Sequence, residues 1–167
     1  NISALQFRKQ GFVDRVREII QSSGAAPRFL ELELTESALM QPTPETETQL
    51  AALRSMGLGL ALDDFGTGYS SLSYLKRLPL THLKIDRSFI RDLPGDTEDA
   101  AIATATLSIA RDLGLEVVAE GVETEAQRDF LLDRQCRIMQ GFLFARPQPA
   151  ADITRLLEAE APARTRA

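Results

Sequence analysis

Five short apolar segments in this chain are each followed by an amphipathic helix, and at or beside their C-terminal ends stand, one after another, Glu33, Asp63, Lys84, Glu120 and Gln140. The segments expected to be strands are Phe29 to Leu34, Leu58 to Leu62, His82 to Ile85, Glu116 to Ala119 and Arg137 to Gln140. Strict alternation of strand and helix implies parallel strands joined by right-handed crossovers. Side chains alternate along a strand, so Phe29, Glu31 and Glu33 share a face opposite Leu30, Leu32 and Leu34. Likewise Gly59, Ala61 and Asp63 oppose three leucines, His82 and Lys84 oppose Leu83 and Ile85, and Val118 and Glu120 oppose Val117 and Ala119. The leucine faces suit a helix layer. The polar ends then point the other way, toward one another.

Two architectures meet that pattern. An open doubly wound sheet would use a glycine-rich turn after a strand to cradle a pyrophosphate. Gly66 and Gly68 do follow a strand, but Asp63 and Asp64 stand in front of them and would repel the phosphates. A closed barrel instead collects polar residues from the C-terminal ends of many strands. The expected class is therefore α/β, with a (β/α)8 TIM-like barrel.

Helix boundaries are legible from their punctuation. Thr43-Pro44 opens a helix that places Leu50, Leu53 and Met56 on one face and stops at Gly57. Another begins near Thr97 and is expected to bury Ile102, Ala105, Ile109 and Leu113 before Gly114. Thr124 to Gln127 fits a capping box. Further helices are expected at about Gln10 to Ser22 and Ala151 to Ala159. Residues 1–160 then form one domain, and 161–167 a flexible tail or linker.

Charge and composition exclude some functions. A net charge of −5 argues against a partner that is a DNA or RNA polymer. A phosphate ligand remains compatible if bound cations carry the positive charge. The single cysteine, Cys136, precludes an internal disulfide and suits a reducing, cytoplasmic compartment, with the thiol expected as a small buried group. No stretch approaches the roughly 20 apolar residues of a membrane span. Converging carboxylates cannot all stay ionised without cations among them. Oxygen ligands with one histidine and no second cysteine favour Mg²⁺ or Mn²⁺ over zinc. Two such ions at about 3.5–4 Å form a clamp for in-line displacement at phosphorus, with Lys84 adding a point charge near the transition state. His82 is expected to be a buried, hydrogen-bonded structural histidine, and Glu31 to pair with a cation inside the barrel such as Lys84.

The motifs themselves resemble a known family. Glu33-Leu34-Thr35-Glu36-Ser37, the block from Asp63 to Leu72 (DDFGTGYSSL), Leu83-Lys84-Ile85-Asp86, Ala119-Glu120-Gly121-Val122-Glu123-Thr124 and Gln140-Gly141-Phe142 run in order along nearly the whole chain and closely resemble EAL-family cyclic di-GMP phosphodiesterases. The resemblance implies a barrel present as its C-terminal two-thirds, with the Glu-Ala-Leu tripeptide and the first strands expected upstream of Asn1. It implies two metal ions held by Asn1, Glu33, Asp63, Asp64 and Glu120. Glu120 would also act in catalysis, with Lys84 as the catalytic lysine and Gln140 positioning water. Glu36 would anchor the loop from Phe65 to Leu72, and a homodimer is implied. Substrate-contacting residues are not assigned. Sensory or signalling domains are expected elsewhere in a longer protein, whose tethering to a membrane this chain does not reveal.

Two functions fit those positions. One is hydrolysis of cyclic di-GMP to linear pGpG. The alternative is a catalytically inactive receptor that binds the dinucleotide and signals to attached domains. Receptors typically lose metal ligands or the glycine-containing loop, and the positions present here are intact, which favours the hydrolase.

Overall fold

Leucine-rich faces bring five strands side by side: β1 (Glu31–Thr35), β2 (Gly59–Phe65), β3 (His82–Ile85), β4 (Glu116–Glu120) and β5 (Ile138–Gln140). All are parallel, and each pairs with the next in sequence, in the order β1-β2-β3-β4-β5. A doubly wound sheet would reverse that order at a switch point. The described sheet has no reversal and follows the order of a barrel wall. The computed structural model describes residues 1–39, 43–66 and 72–160, with the backbone alone for Ser37 and Glu160. The expected tail at 161–167 and the loop positions 67–71 lie outside the described residues.

Among the described residues, eight helices connect or flank the strands. They are α1 (Ala4–Phe7), α2 (Phe12–Ser23), α3 (Glu36–Leu39), α4 (Pro44–Ser55), α5 (Leu72–Leu75), α6 (Thr97–Asp112), α7 (Glu125–Asp133) and α8 (Ala150–Glu160). Their caps follow the sequence. Thr43 accepts from the Thr46 amide at the start of α4, and Thr124 with Gln127 forms the capping box of α7. Asp96 caps α6 through the amides of Glu98 and Asp99.

The core lies between the leucine faces and the helices. Leu34, Leu58, Leu60, Leu62, Leu83 and Ile85 are fully buried, as are Leu50 and Leu53 of α4. Helix α4 packs on β2, and α6 on β3 and β4. Burying each such leucine contributes on the order of 1.5–3 kcal/mol. Cys136 is buried in this layer, and burial pushes its thiol up.

Three expectations change. The first strand begins at Glu31, because the amides of Phe29 and Leu30 bond back to Ala26 and Pro27 in a tight turn. Phe29 is left exposed with Arg28 over its ring, and not on the Glu33 face. Helix α6 buries Ala103, Thr106, Leu107 and Ala110, while Ile102 and Ala105 are exposed and Ile109 and Leu113 are partly buried. The buried face is thus turned by one residue, about 100°. Alanines let the helix axis approach the strands more closely than an isoleucine row would. Glu31 pairs with His82 rather than Lys84. Among the described residues no helix is long and apolar enough to cross a membrane.

Candidate active site

Parallel register stacks the inward side chains in rungs. Glu33 is level with Ala61, Thr35 with Asp63, Lys84 with Val118, and Glu120 with Gln140. Inward positions of β2 below Asp63 are Gly59 and Ala61, so side chains from β1 can cross over β2 to β3. At the lower rung Glu31 does so. Its carboxylate lies against Gly59, where a Cβ would meet Glu31 Oε2 at 3.0 Å, and it bonds to Nδ1 of His82. Nε2 of His82 meets Glu116 at 3.0 Å. His82 is hydrogen-bonded, as expected, but half-buried rather than buried.

At the upper rung Glu33 passes over Ala61, which is level with His82, and steps up to reach Lys84. Nζ of Lys84 lies 2.9 Å from Glu33 Oε1, 3.1 Å from Asp63 Oδ1 and 2.8 Å from Glu120 Oε1. Four strands therefore meet at one ammonium. Lys84 is only 5% exposed, and Asp63 only 8%. Burial alone would lower the lysine pKa. Hydrogen bonds to Glu120, Glu33 and Asp63 outweigh it and hold the ammonium above the usual lysine range.

Asp64 follows in the left-handed conformation, with φ 56°. It lies inside β2 where the register with β3 shifts between Leu62 and Phe65, and aspartate tolerates the conformation better than most residues. Its carboxyl is raised by burial, then by the charges of Asp63 and Asp86 and a hydrogen bond to Asp86. Asp86 itself is held low, because bonds from Ser88 outweigh its burial. Asp86 had no role in the sequence reading. The signal available was its place two residues after Lys84, on the same face of an extended segment.

The other expected residues are placed as follows. The Ile2 amide donates to Glu33 O at 2.8 Å, and Ile2 bridges to Leu34 in parallel, so Asn1 falls level with Glu33 at the edge of β1. Gln140 is exposed at the end of β5, beside Glu120. Glu36 is buried at the start of α3. Most of the loop it was expected to anchor lies outside the described residues. Glu123 lines a cleft of about 560 Å³ beside the site, together with Asp86, Arg87, Gly121 and Gln127.

Two glycines allow close approach at the strand ends, Gly121 of the segment after β4 to that after β3, and Gly141 of the segment after β5 to that after β4. Gly121 has φ 73°, and a Cβ there would come within 2.6 Å of Arg87 Cβ. At Gly141 a Cβ would lie 2.0 Å from the Val122 carbonyl oxygen, inside the pair of bonds from Val122 N to Gln140 O and from Leu143 N to Val122 O.

The donor set is oxygen, carries more negative than positive charge, and suits a hard divalent cation. As the side chains stand, no three His, Cys, Asp or Glu among the described residues are arranged to hold a metal. The carboxylates are turned to the ammonium instead. Lys84 is the cation that these carboxylates enclose.

Comparison with known proteins gives a consistent picture. The sequence profile of the EAL domain matches residues 1–147. The bifunctional diguanylate cyclase/cyclic di-GMP phosphodiesterase MucR of Pseudomonas aeruginosa is 51% identical over 92% of this chain. The cyclic di-GMP phosphodiesterase NbdA of the same organism is 49% identical over 95%. The chain spans 22% and 20% of those two proteins, about a fifth of their length. In structure, the PaMucR phosphodiesterase in complex with c-di-GMP superposes with a TM-score of 0.87, over 92% of this chain and 62% of that one. Klebsiella pneumoniae BlrP1, in a manganese/cy-diGMP complex, is 35% identical with a TM-score of 0.76, over 85% of this chain and 36% of that one.

Proposed function

This chain belongs to the EAL domain family, and from that premise we propose that it forms part of the catalytic barrel of a cyclic di-GMP phosphodiesterase producing linear pGpG. The observation that carries the reading is the ammonium of Lys84 within 3.1 Å of carboxylates from three other strands. With Asp64 alongside, the cluster has four carboxylates for one cation. Such a buried surplus costs stability and is found where chemistry needs it.

Two divalent cations, Mg²⁺ or Mn²⁺, would supply Lewis-acid charge and make a bound water acidic. Glu33, Asp63, Asp64 and Glu120 would hold them, with Asn1 level with Glu33. The reaction is a displacement at phosphorus. Water oxygen bonds to one phosphorus of the cyclic dinucleotide, the P–O3′ bond breaks, and a proton passes to the released O3′. Glu120 accepts the proton of the attacking water, and Gln140, in register with it, orients that water. Lys84 directs its charge at the oxygens on which negative charge develops. Binding to BlrP1 in the presence of manganese and to PaMucR supports the ligand class. A homodimer, sensory or signalling domains elsewhere in the longer protein, and the 1–160 boundary belong to the same proposal.

Incubating the full-length protein with cyclic di-GMP and Mn²⁺ or Mg²⁺ tests it by chromatographic detection of pGpG. Turnover that falls by at least about 100-fold in Asp63→Asn supports the hydrolase. Tight binding without turnover in either metal would replace it with the receptor.

A further inference from the structure

We propose that Lys84 is the resident cation of the unloaded site, and that divalent ions bind in competition with its ammonium. The proposal rests on the metal-site reading above and adds a second role for the lysine.

An ammonium has three donors and no acceptor. All three of its partners here are carboxylate oxygens, at 2.8, 2.9 and 3.1 Å, each on a different strand. Such contacts lie in the range of charge-assisted hydrogen bonds. Removing the cation would leave Glu33, Asp63 and Glu120 facing one another in a partly buried cluster, where like charges repel. Lys84 thus holds the upper ends of β1, β2 and β4 together before any ion arrives.

The same contacts oppose loading. A divalent ion needs several of these oxygens turned to one point. Three of these oxygens do converge on one point, and the ammonium nitrogen stands there, 2.8 to 3.1 Å from each. A second cation placed among the carboxylates also repels the first. Loading therefore has to release Lys84 from at least part of its cage. Its ammonium becomes available to the substrate only when the ions are in place, so the lysine and the metal act as an ordered pair.

The test uses the full-length protein and Mn²⁺ alone, read by calorimetric titration and thermal denaturation rather than turnover. Lys84→Met is expected to melt lower than wild type without metal. It is expected to bind Mn²⁺ at least about tenfold more tightly and to show a larger Mn²⁺-induced rise in Tm. Equal or weaker Mn²⁺ binding in Lys84→Met overturns the competition while leaving the metal site intact. No Mn²⁺ binding by wild type overturns the metal reading itself. Should the variant fail to fold, ¹⁵N NMR of the wild-type lysine ammonium groups decides. A slowly exchanging Lys84 signal that shifts or exchanges faster on adding Mg²⁺ supports release, and an unchanged one overturns it.

Discussion

Strands β1, β3 and β4 carry two clusters of charged side chains on one face, a lower rung around His82 and an upper rung around Lys84, and the two are built differently. Below, His82 sits between Glu31 and Glu116, with side chains 24%, 31% and 69% exposed. Above, Lys84 sits among Glu33, Asp63 and Glu120, with its side chain 6% exposed and the carboxylates between 12% and 26%. The lower rung is open to water, which screens its charges and makes each contact weak. Its three residues tie β1, β3 and β4 together and ask for no further ion. The upper rung is drier and short of positive charge. The same residue types on the same strands are therefore structural in one layer and poised for chemistry in the next.

The largest expected difference between the rungs is in turnover. Glu120→Gln should reduce pGpG formation by about 10²–10⁴-fold, whereas Glu31→Gln and Glu116→Gln should stay within a few-fold of wild type in the same assay. Equal losses would erase the distinction. Ion response comes next. Mn²⁺ should raise the Tm of Glu31→Gln as it does that of wild type, and should leave Asp63→Asn nearly unchanged by differential scanning fluorimetry. Stability at the lower rung should change less. His82→Ala is expected to cost about 0–1 kcal/mol in urea denaturation, with most of that cost gone at high salt.

The smallest effect concerns Asp64, whose carboxyl is raised by burial, Asp63 and Asp86. A raised folded-state value means that ionisation costs stability at neutral pH. That cost disappears as pH falls through the raised value toward the ordinary aspartate range. Asp64→Asn removes it and keeps the left-handed turn, so the metal-free variant should melt about 1–3 °C higher than wild type at pH 7. The gain should shrink to nothing in acid, while activity is lost. A variant less stable at pH 7 would show that Asp64 holds the turn by its charge.

Much of this arrangement is legible in the sequence. Alternation along each strand separates the leucine face from Glu33, Asp63, Lys84 and Glu120, and the structure brings those four together. Pairing across strands is harder to read. Glu31 was expected to reach Lys84, but one strand shows only parity, not the rung at which a neighbour sits. Glu31 passes over Gly59, its own partner in register, and steps up to His82, which register pairs with Ala61, a diagonal that one strand's sequence does not show. The face of α6 was misjudged for a related reason. Spacing alone allows two adjacent stripes, and the alanine stripe wins because close packing of helix on strand favours small side chains. Asp64's turn and its contact with Asp86 depend on a single left-handed residue that composition does not reveal.

The most direct test is anomalous diffraction from crystals of the full-length protein grown with cyclic di-GMP and Mn²⁺. Two manganese peaks about 3.5–4 Å apart, bound by Asp63 with Glu33, Asp64 and Glu120, are the predicted result. Density for the dinucleotide with no manganese at those carboxylates would contradict the account.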